Sequence, residues 1–315
     1  MTTLHDPRTT FGAAVTALAE QDERIVVLSA DSGKSSGFGD FRARHPERYV
    51  ETGIAEHGAT GVAAGLATTG LKPVFCAIAA FVTCRSFEAF RNDVGYMRQD
   101  VKVVGRNGGF TYSDLGPTHH SLEDYAIIGT IPGVVVLAPL DAGQIVDASA
   151  AMLEHEGPVY MRIGASPLGD LVPRGSFEIG RAYPLRSGEA MTVVTTGYIA
   201  AEVVAAVDAL REEGIEIDLI GMPTVSPLDA AAVLESVRRT GHVVTVEEHY
   251  PTGGLGARVA EVVAAEAAGR VDIVAVPHVH IGYGPYAELL AKHGLDAAGL
   301  TTRLRALHEA APPDA

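Results

Sequence analysis

The feature that most constrains this chain is an alternation of short apolar runs with helical segments, made twice over and broken once. Arg24 to Ser29 reads as a buried strand, Gly58 to Gly70 as a small-residue helix, and Lys72 to Ala77 as a second strand. Phe87 to Met97 follows as a helix, Val101 to Gly105 as a strand, Ser121 to Gly129 as a short helix and Val134 to Leu137 as a strand. The helix Asp141 to Glu154 and the strand Val159 to Ile163 close this series. Apolar strands in strict alternation with helices imply a parallel sheet covered on both faces. The stretch Pro167 to Ser176 has turn chemistry and neither period. After it come strands at Met191 to Thr196, Ile215 to Ile220, His242 to Val246 and Val271 to Val276, with helices at Ala200 to Glu213, Leu228 to Thr240 and Leu255 to Ala268 between them. The expectation is two doubly wound α/β domains, residues 1–170 and 190–315, joined by a linker over 171–189, in keeping with 315 residues. The tail Ala310 to Ala315 is expected to be disordered.

Composition narrows the function. A formal charge of −15 disfavours nucleic acid and anionic membranes, which basic surfaces hold. No run approaches the ~18 apolar residues of a membrane helix, and the first residues lack the basic-then-apolar pattern of a secretory signal. Cys76 and Cys84 are expected as free core thiols, since their spacing suits no metal site. These absences point to the cytoplasm.

Three segments carry candidate chemistry. In Glu51 to Ala67 a carboxylate, Glu56, stands between an extended stretch and a helix of small residues that includes Gly58, Gly61 and Gly65. Negative charge at a helix N-terminus is favourable without any further role; the functional reading is a carboxyl at a strand end, where open α/β sheets put ligands. Arg106 to Ser121 follows a strand, is glycine-rich and holds Arg106, Asp114, His119 and His120. Such a loop is costly to order unless it serves a purpose. Adjacent histidines are otherwise ordinary surface residues, and no cysteine pair or His-x-x-x-His accompanies them as a metal site would need. In Phe81 to Arg91 three aromatics fall in ten residues of a chain that is 6% aromatic. They either pack in the core or present a face to a flat ring.

In order, these segments resemble the transketolase family of thiamine-diphosphate enzymes, and the resemblance covers most of the chain. Gly53-Ile54-Ala55-Glu56-His57 is similar to the family's glycine-isoleucine-alanine-glutamate segment, Phe81 to Asn92 to its aromatic stretch, and Gly116-Pro117-Thr118-His119 to its glycine-proline-threonine-histidine loop. Glu247 to Gly256 is similar to part of the family's C-terminal domain. The resemblance implies a pyrimidine-binding domain followed by a transketolase C-terminal-type domain. It implies that Glu56 hydrogen-bonds a nitrogen of the cofactor's aminopyrimidine and promotes its imino tautomer, from a pocket that raises the carboxyl towards its protonated state. Phe81 would stack on that ring, Phe87 would be a weaker candidate for its wall, and Asp31 would lie near the cofactor. His119 would bond substrate oxygens and assist proton transfer. Arg106, His120 and Arg162 would face the substrate.

Departures from the family pattern bear on partner and substrate. The family holds the diphosphate and Mg2+ with a Gly-Asp-Gly segment, but here Gly39-Asp40 is followed by Phe41 and Gly169-Asp170 by Leu171. The chain therefore resembles the C-terminal subunit of a split transketolase. The implied partner is an N-terminal transketolase subunit that supplies the diphosphate domain and the magnesium ligands, in an α2β2 assembly moving a two-carbon ketol unit from a ketose-type donor to an aldehyde. Sugar-phosphate relatives carry aspartate where Leu115 stands and arginine where Ala165 stands, so Leu115 marks a changed substrate contact. The alternatives are the β subunit of a 2-oxo acid dehydrogenase component, a deoxyxylulose-phosphate synthase-like enzyme, and a non-catalytic regulatory subunit.

Overall fold

The computed structural model describes residues 4–175 and 177–310. Twelve strands among these residues form two sheets. The first sheet has the order β10-β5-β6-β4-β3-β1-β2, with β1 Ile25–Ser29, β2 Tyr49–Glu51, β3 Lys72–Ile78, β4 Lys102–Arg106, β5 Val135–Leu137, β6 Val159–Arg162 and β10 Thr224–Ser226. The second has the order β12-β11-β8-β9-β7, with β7 Tyr183–Arg186, β8 Thr192–Thr195, β9 Asp218–Gly221, β11 His242–Val246 and β12 Arg270–Val274. Pairing is parallel except at β10 with β5 and β7 with β9, so each sheet ends on one antiparallel edge.

Successive side chains of a strand point to opposite faces, and the first core divides accordingly. Leu28, Phe75 and Val103 pack with Phe90 and Tyr125 on one face. Their neighbours Val27, Val74 and Val104 pack with Phe11, Phe41 and Met152 on the other. Being apolar on both sides, β1, β3 and β4 appear in the sequence as unbroken hydrophobic runs. The second domain repeats the arrangement, with Val193, Leu219 and Val244 on one face and Val194, Ile220 and Val243 on the other.

The expected strands and helices of both series occur, with ends that differ by a few residues. Two additions lie outside local pattern. β7 falls inside the stretch 171–189 read as linker and joins the second sheet. β10 leaves its own domain to extend the first sheet beside β5. The linker is also tied down by Asp141, which caps the helix Ala142–Glu154 through Gln144 and accepts the backbone N–H groups of Leu171 and Val172 at 2.6 and 2.9 Å. Of the tail from 310 to 315, only Ala310 lies among the described residues. Cys76 is a buried free thiol, but Cys84 is exposed and donates to the Glu123 carboxylate at 3.3 Å, contrary to the expectation of a core thiol.

Candidate functional site

The chain leaves β1 for β2 on one side and returns to place β3 on the other, so the connections after β1 and β3 diverge. At such a switch point the C-terminal ends of parallel strands open a crevice. Asp31 follows β1, Glu56 follows β2, Phe81 follows β3, Arg106 ends β4 and Arg162 ends β6.

Glu56 is the first residue of the helix Glu56–Ala67. The turn before it is fixed by Glu51, whose carboxylate accepts the N–H groups of Asp31 (2.7 Å) and Gly53 (3.1 Å), the latter at φ +68°. Thr52 donates through its hydroxyl to the Ser29 carbonyl at 2.9 Å, locking the loop to β1. The Glu56 carboxyl is buried, and its Oε2 accepts from Arg85 Nη1 at 2.6 Å. Asp31 sits at φ +54° with its side chain exposed beside this turn.

After β3 the chain enters a helical segment with π-type turns over Phe81–Arg85 and Phe90–Tyr96, a distortion frequent at functional sites. The wide turn puts Phe81 and Arg85 together, with the guanidinium carbon 4.1 Å from the ring centroid. Phe81 also meets the His119 ring at 5.1 Å between centroids, tilted by 59°. Tyr112 contacts the same imidazole edge-on at 5.3 Å, and the Thr118 hydroxyl lies 2.9 Å from its Nδ1. Burial, then the Arg85 charge, lowers the pKa of His119 below its ordinary 6.5, so the ring is neutral at pH 7 and able to take up a proton. Glu56, Phe81 and His119 are thus assembled through a residue the sequence argument did not single out, Arg85. Phe87, by contrast, packs against the core.

The other expected substrate residues point elsewhere. Arg106 is buried, with Nε donating to the Ser36 hydroxyl at 3.2 Å and Nη1 to Asn107 Oδ1 at 2.8 Å. His120 is buried edge-on against Phe110, with ring centroids 5.6 Å apart, and burial lowers its pKa. Leu115 is 47% exposed on the loop surface. Arg162 is buried, bonded to Asp124 at 3.3 Å and to the Glu248 carbonyl at 2.7 Å, and stacked over Tyr125. Burial by itself would lower the Arg162 pKa, but Asp124 and the surrounding groups carry it above its ordinary value.

Arg162 belongs to a polar network that grips the His119 loop from the second domain. Glu248 accepts the Phe110 N–H with one oxygen and the Tyr286 hydroxyl with the other at 2.8 Å. Asp124 accepts from the Tyr160 hydroxyl at 2.7 Å. Gly109, at φ +62°, passes between Arg162 and Glu248 so closely that a Cβ would lie 2.2 Å from Glu248 Oε1 and 2.3 Å from Arg162 Nη2. No local signal marks these partners in the sequence, since Asp124 and Glu248 meet Arg162 only through the tertiary fold.

A flat heterocycle with a hydrogen-bond donor fits the Phe81–Glu56 pair, because a flat, donating guanidinium already satisfies both groups there. Among the described residues no group of three or more His, Cys, Asp or Glu side chains could hold a metal ion, and no helix is long and apolar enough to cross a membrane. Residues 5–168 match the model of the transketolase pyrimidine-binding domain and residues 180–300 that of the transketolase C-terminal domain. One of the two chains of an apulose-4-phosphate transketolase from Phocaeicola vulgatus is 36% identical, over 93% of this chain and 94% of the relative. A 1-deoxy-D-xylulose-5-phosphate synthase from Syntrophotalea carbinolica is also 36% identical, but this chain spans only 47% of it. A solved structure described as a split-gene transketolase, inactive β4 tetramer, superposes with a TM-score of 0.89 at 36% identity, covering 96% of this chain and 98% of that one.

Proposed function

Because the chain belongs to the transketolase family, we infer that it is the C-terminal subunit of a two-chain, thiamine-diphosphate-dependent transferase of the transketolase type. The observation that carries this reading is the meeting of the buried Glu56 carboxyl and the Phe81 face on one flat donor. When bound, thiamine diphosphate supplies the carbanion chemistry that breaks and forms a carbon–carbon bond beside a carbonyl. Glu56 holds a ring nitrogen by a hydrogen bond and shares a proton with it. Phe81 supports the ring from one side. His119, neutral at pH 7, takes a proton from a substrate hydroxyl and returns it. Arg106 lies near enough to the crevice to assist substrate binding, while Arg162 acts through the loop that it and Glu248 hold in place.

The diphosphate and its Mg2+ belong to the partner subunit in this reading, which the missing Gly-Asp-Gly segment supports. The helix Glu56–Ala67 supports it too: Val62 is exposed, and a Cβ at Gly65 would meet nothing within 4 Å, which leaves an apolar, close-approach surface for another chain. The assembly is two copies of this chain with two of the partner. The reaction moves a two-carbon ketol unit to an aldehyde acceptor; assays with pyruvate beside ketose donors separate it from synthase or dehydrogenase chemistry. The central test is Glu56→Gln in the assembled enzyme. The amide keeps the size but cannot share the proton, so turnover falls by roughly 100-fold or more with assembly intact. Proton exchange at the cofactor equal to wild type in that variant would refute the role of Glu56.

A further inference from the structure

Arg85 makes, with one planar group, the two contacts that the proposed function assigns to the cofactor ring. It donates to Glu56 at 2.6 Å and lies 4.1 Å over Phe81. A guanidinium and an aminopyrimidine are both flat, both donate N–H to a carboxylate in their own plane, and both stack on an aromatic face. Two such groups cannot lie on the same face of one phenyl ring. His119 already leans on the same ring at 5.1 Å, which leaves little of it for an incoming heterocycle. The Arg85 side chain is about half exposed (46%), whereas Glu56 is only 5% exposed, so the arginine can swing towards solvent while the carboxyl stays.

We propose that Arg85 is an internal competitor for the pyrimidine site: it keeps Glu56 paired and Phe81 covered, and a ring entering the site displaces it. The proposal rests on the cofactor reading above and adds that this chain limits its own affinity for the ring. In the resting site the arginine neutralises a carboxylate that would otherwise be buried without a partner, which is costly. Its exposed, single-contact ion pair and one stacking contact are both of the weak class, so the occupant is held loosely enough to be exchanged. Arg85 is in this sense a positioning residue, acting on Glu56 and not on substrate.

The test is calorimetric binding of thiamine diphosphate, with magnesium, to the assembled two-chain enzyme carrying Arg85→Met, Arg85→Lys or no substitution. Arg85→Met keeps the apolar stem and removes the competitor, so binding tightens by on the order of tenfold. Arg85→Lys, which pairs with Glu56 but stacks poorly, falls between Met and wild type. Methylguanidinium added to the Arg85→Met enzyme competes with the cofactor and restores weaker binding, a response that a merely structural arginine does not give. Weaker or unchanged binding in Arg85→Met, with wild type binding normally, overturns the competitor role alone. Failure of wild type and every variant to bind, with assembly intact by light scattering, overturns the cofactor reading and the role of Arg85 with it.

Discussion

Glu247→Gln should flatten the pH dependence of this subunit's stability. Glu247 ends the run from β11 and is fully buried at the start of the helix Leu255–Ala265, where its two oxygens accept the N–H groups of Leu255 (2.7 Å) and Gly256 (2.8 Å). Burial is the largest influence on its carboxyl and outweighs those two donors and the more distant Arg162 and Arg258, so its pKa rises from 4.5 to about 7. A carboxyl raised on folding binds more protons in the folded state than in the unfolded state between those values. Its contribution is therefore fully present below pH 4.5 and is lost as pH climbs through 7. The free energy involved is roughly 3 kcal/mol. His249 opposes it: burial lowers that imidazole from 6.5 to about 4, so its contribution is present above 6.5 and lost as pH falls through 4. The wild-type curve alone mixes the two, and the difference between wild type and Glu247→Gln isolates the carboxyl. The amide must also turn an N–H2 towards one backbone donor, which adds a cost that does not vary with pH. The expected result is a stability difference that shifts by roughly 3 kcal/mol in favour of the variant between pH 4.5 and 8, read by urea unfolding at fixed protein concentration and ionic strength. Parallel curves, differing by a constant across that range, would show that Glu247 is not held near 7.

The isolated subunit, lacking a Gly-Asp-Gly segment, should bind thiamine diphosphate weakly and turn over no substrate; sub-micromolar binding by calorimetry would refute the split-enzyme reading. Gly109→Ala should destabilise the chain by more than the ~1–2 kcal/mol of a left-handed alanine, because its Cβ also meets Glu248 and Arg162; urea titration at pH 7 checks this. With leucine at 115 and alanine at 165, the enzyme should discriminate against ordinary sugar phosphates by on the order of 100-fold relative to a specialised relative. Measured kcat/KM of the assembled pair for ribose 5-phosphate above every other aldehyde would overturn that expectation.

How much of this was legible in the sequence depended on whether each feature has a local cause. Ile25–Ser29 and His242–Val246 are buried along their whole length, so their apolar runs could be read directly. Tyr49–Glu51 is a three-residue edge strand with half-exposed side chains and has no such run. β10 pairs with a strand nearly ninety residues earlier in the chain, a relation that periodicity cannot encode. The aromatic helix was read from Phe87, but helical structure begins at Phe81, since π-type turns break the 3.6-residue spacing on which the reading relied. Glu56, Phe81 and His119 were identified by resemblance to a family, and their mutual contacts could not be. Arg85 stood in a quoted segment unremarked, because an arginine on a helix is ordinarily a solvated charge.

The polar network between the domains explains why the His119 loop needs the second domain at all. The loop has few apolar side chains of its own: Phe110 is buried, whereas Asp114, Leu115, Pro117 and Thr118 are exposed. Its order must therefore come from hydrogen bonds, and these are anchored at one end by Glu248 on Phe110 and at the other by the Gly284 N–H on the Ser113 carbonyl at 3.2 Å. Both anchors come from the second domain. Asp124 and Glu248 place two carboxylates around the single Arg162 guanidinium in a region shut off from water. Removing any one of them strands a buried charge, at a cost far above that of the contact itself. Such a cluster specifies one arrangement of the two domains where an apolar interface would tolerate several. The imidazole that is to move a proton is thereby held by groups that never touch the substrate, and the C-terminal domain acts on the site without lining it.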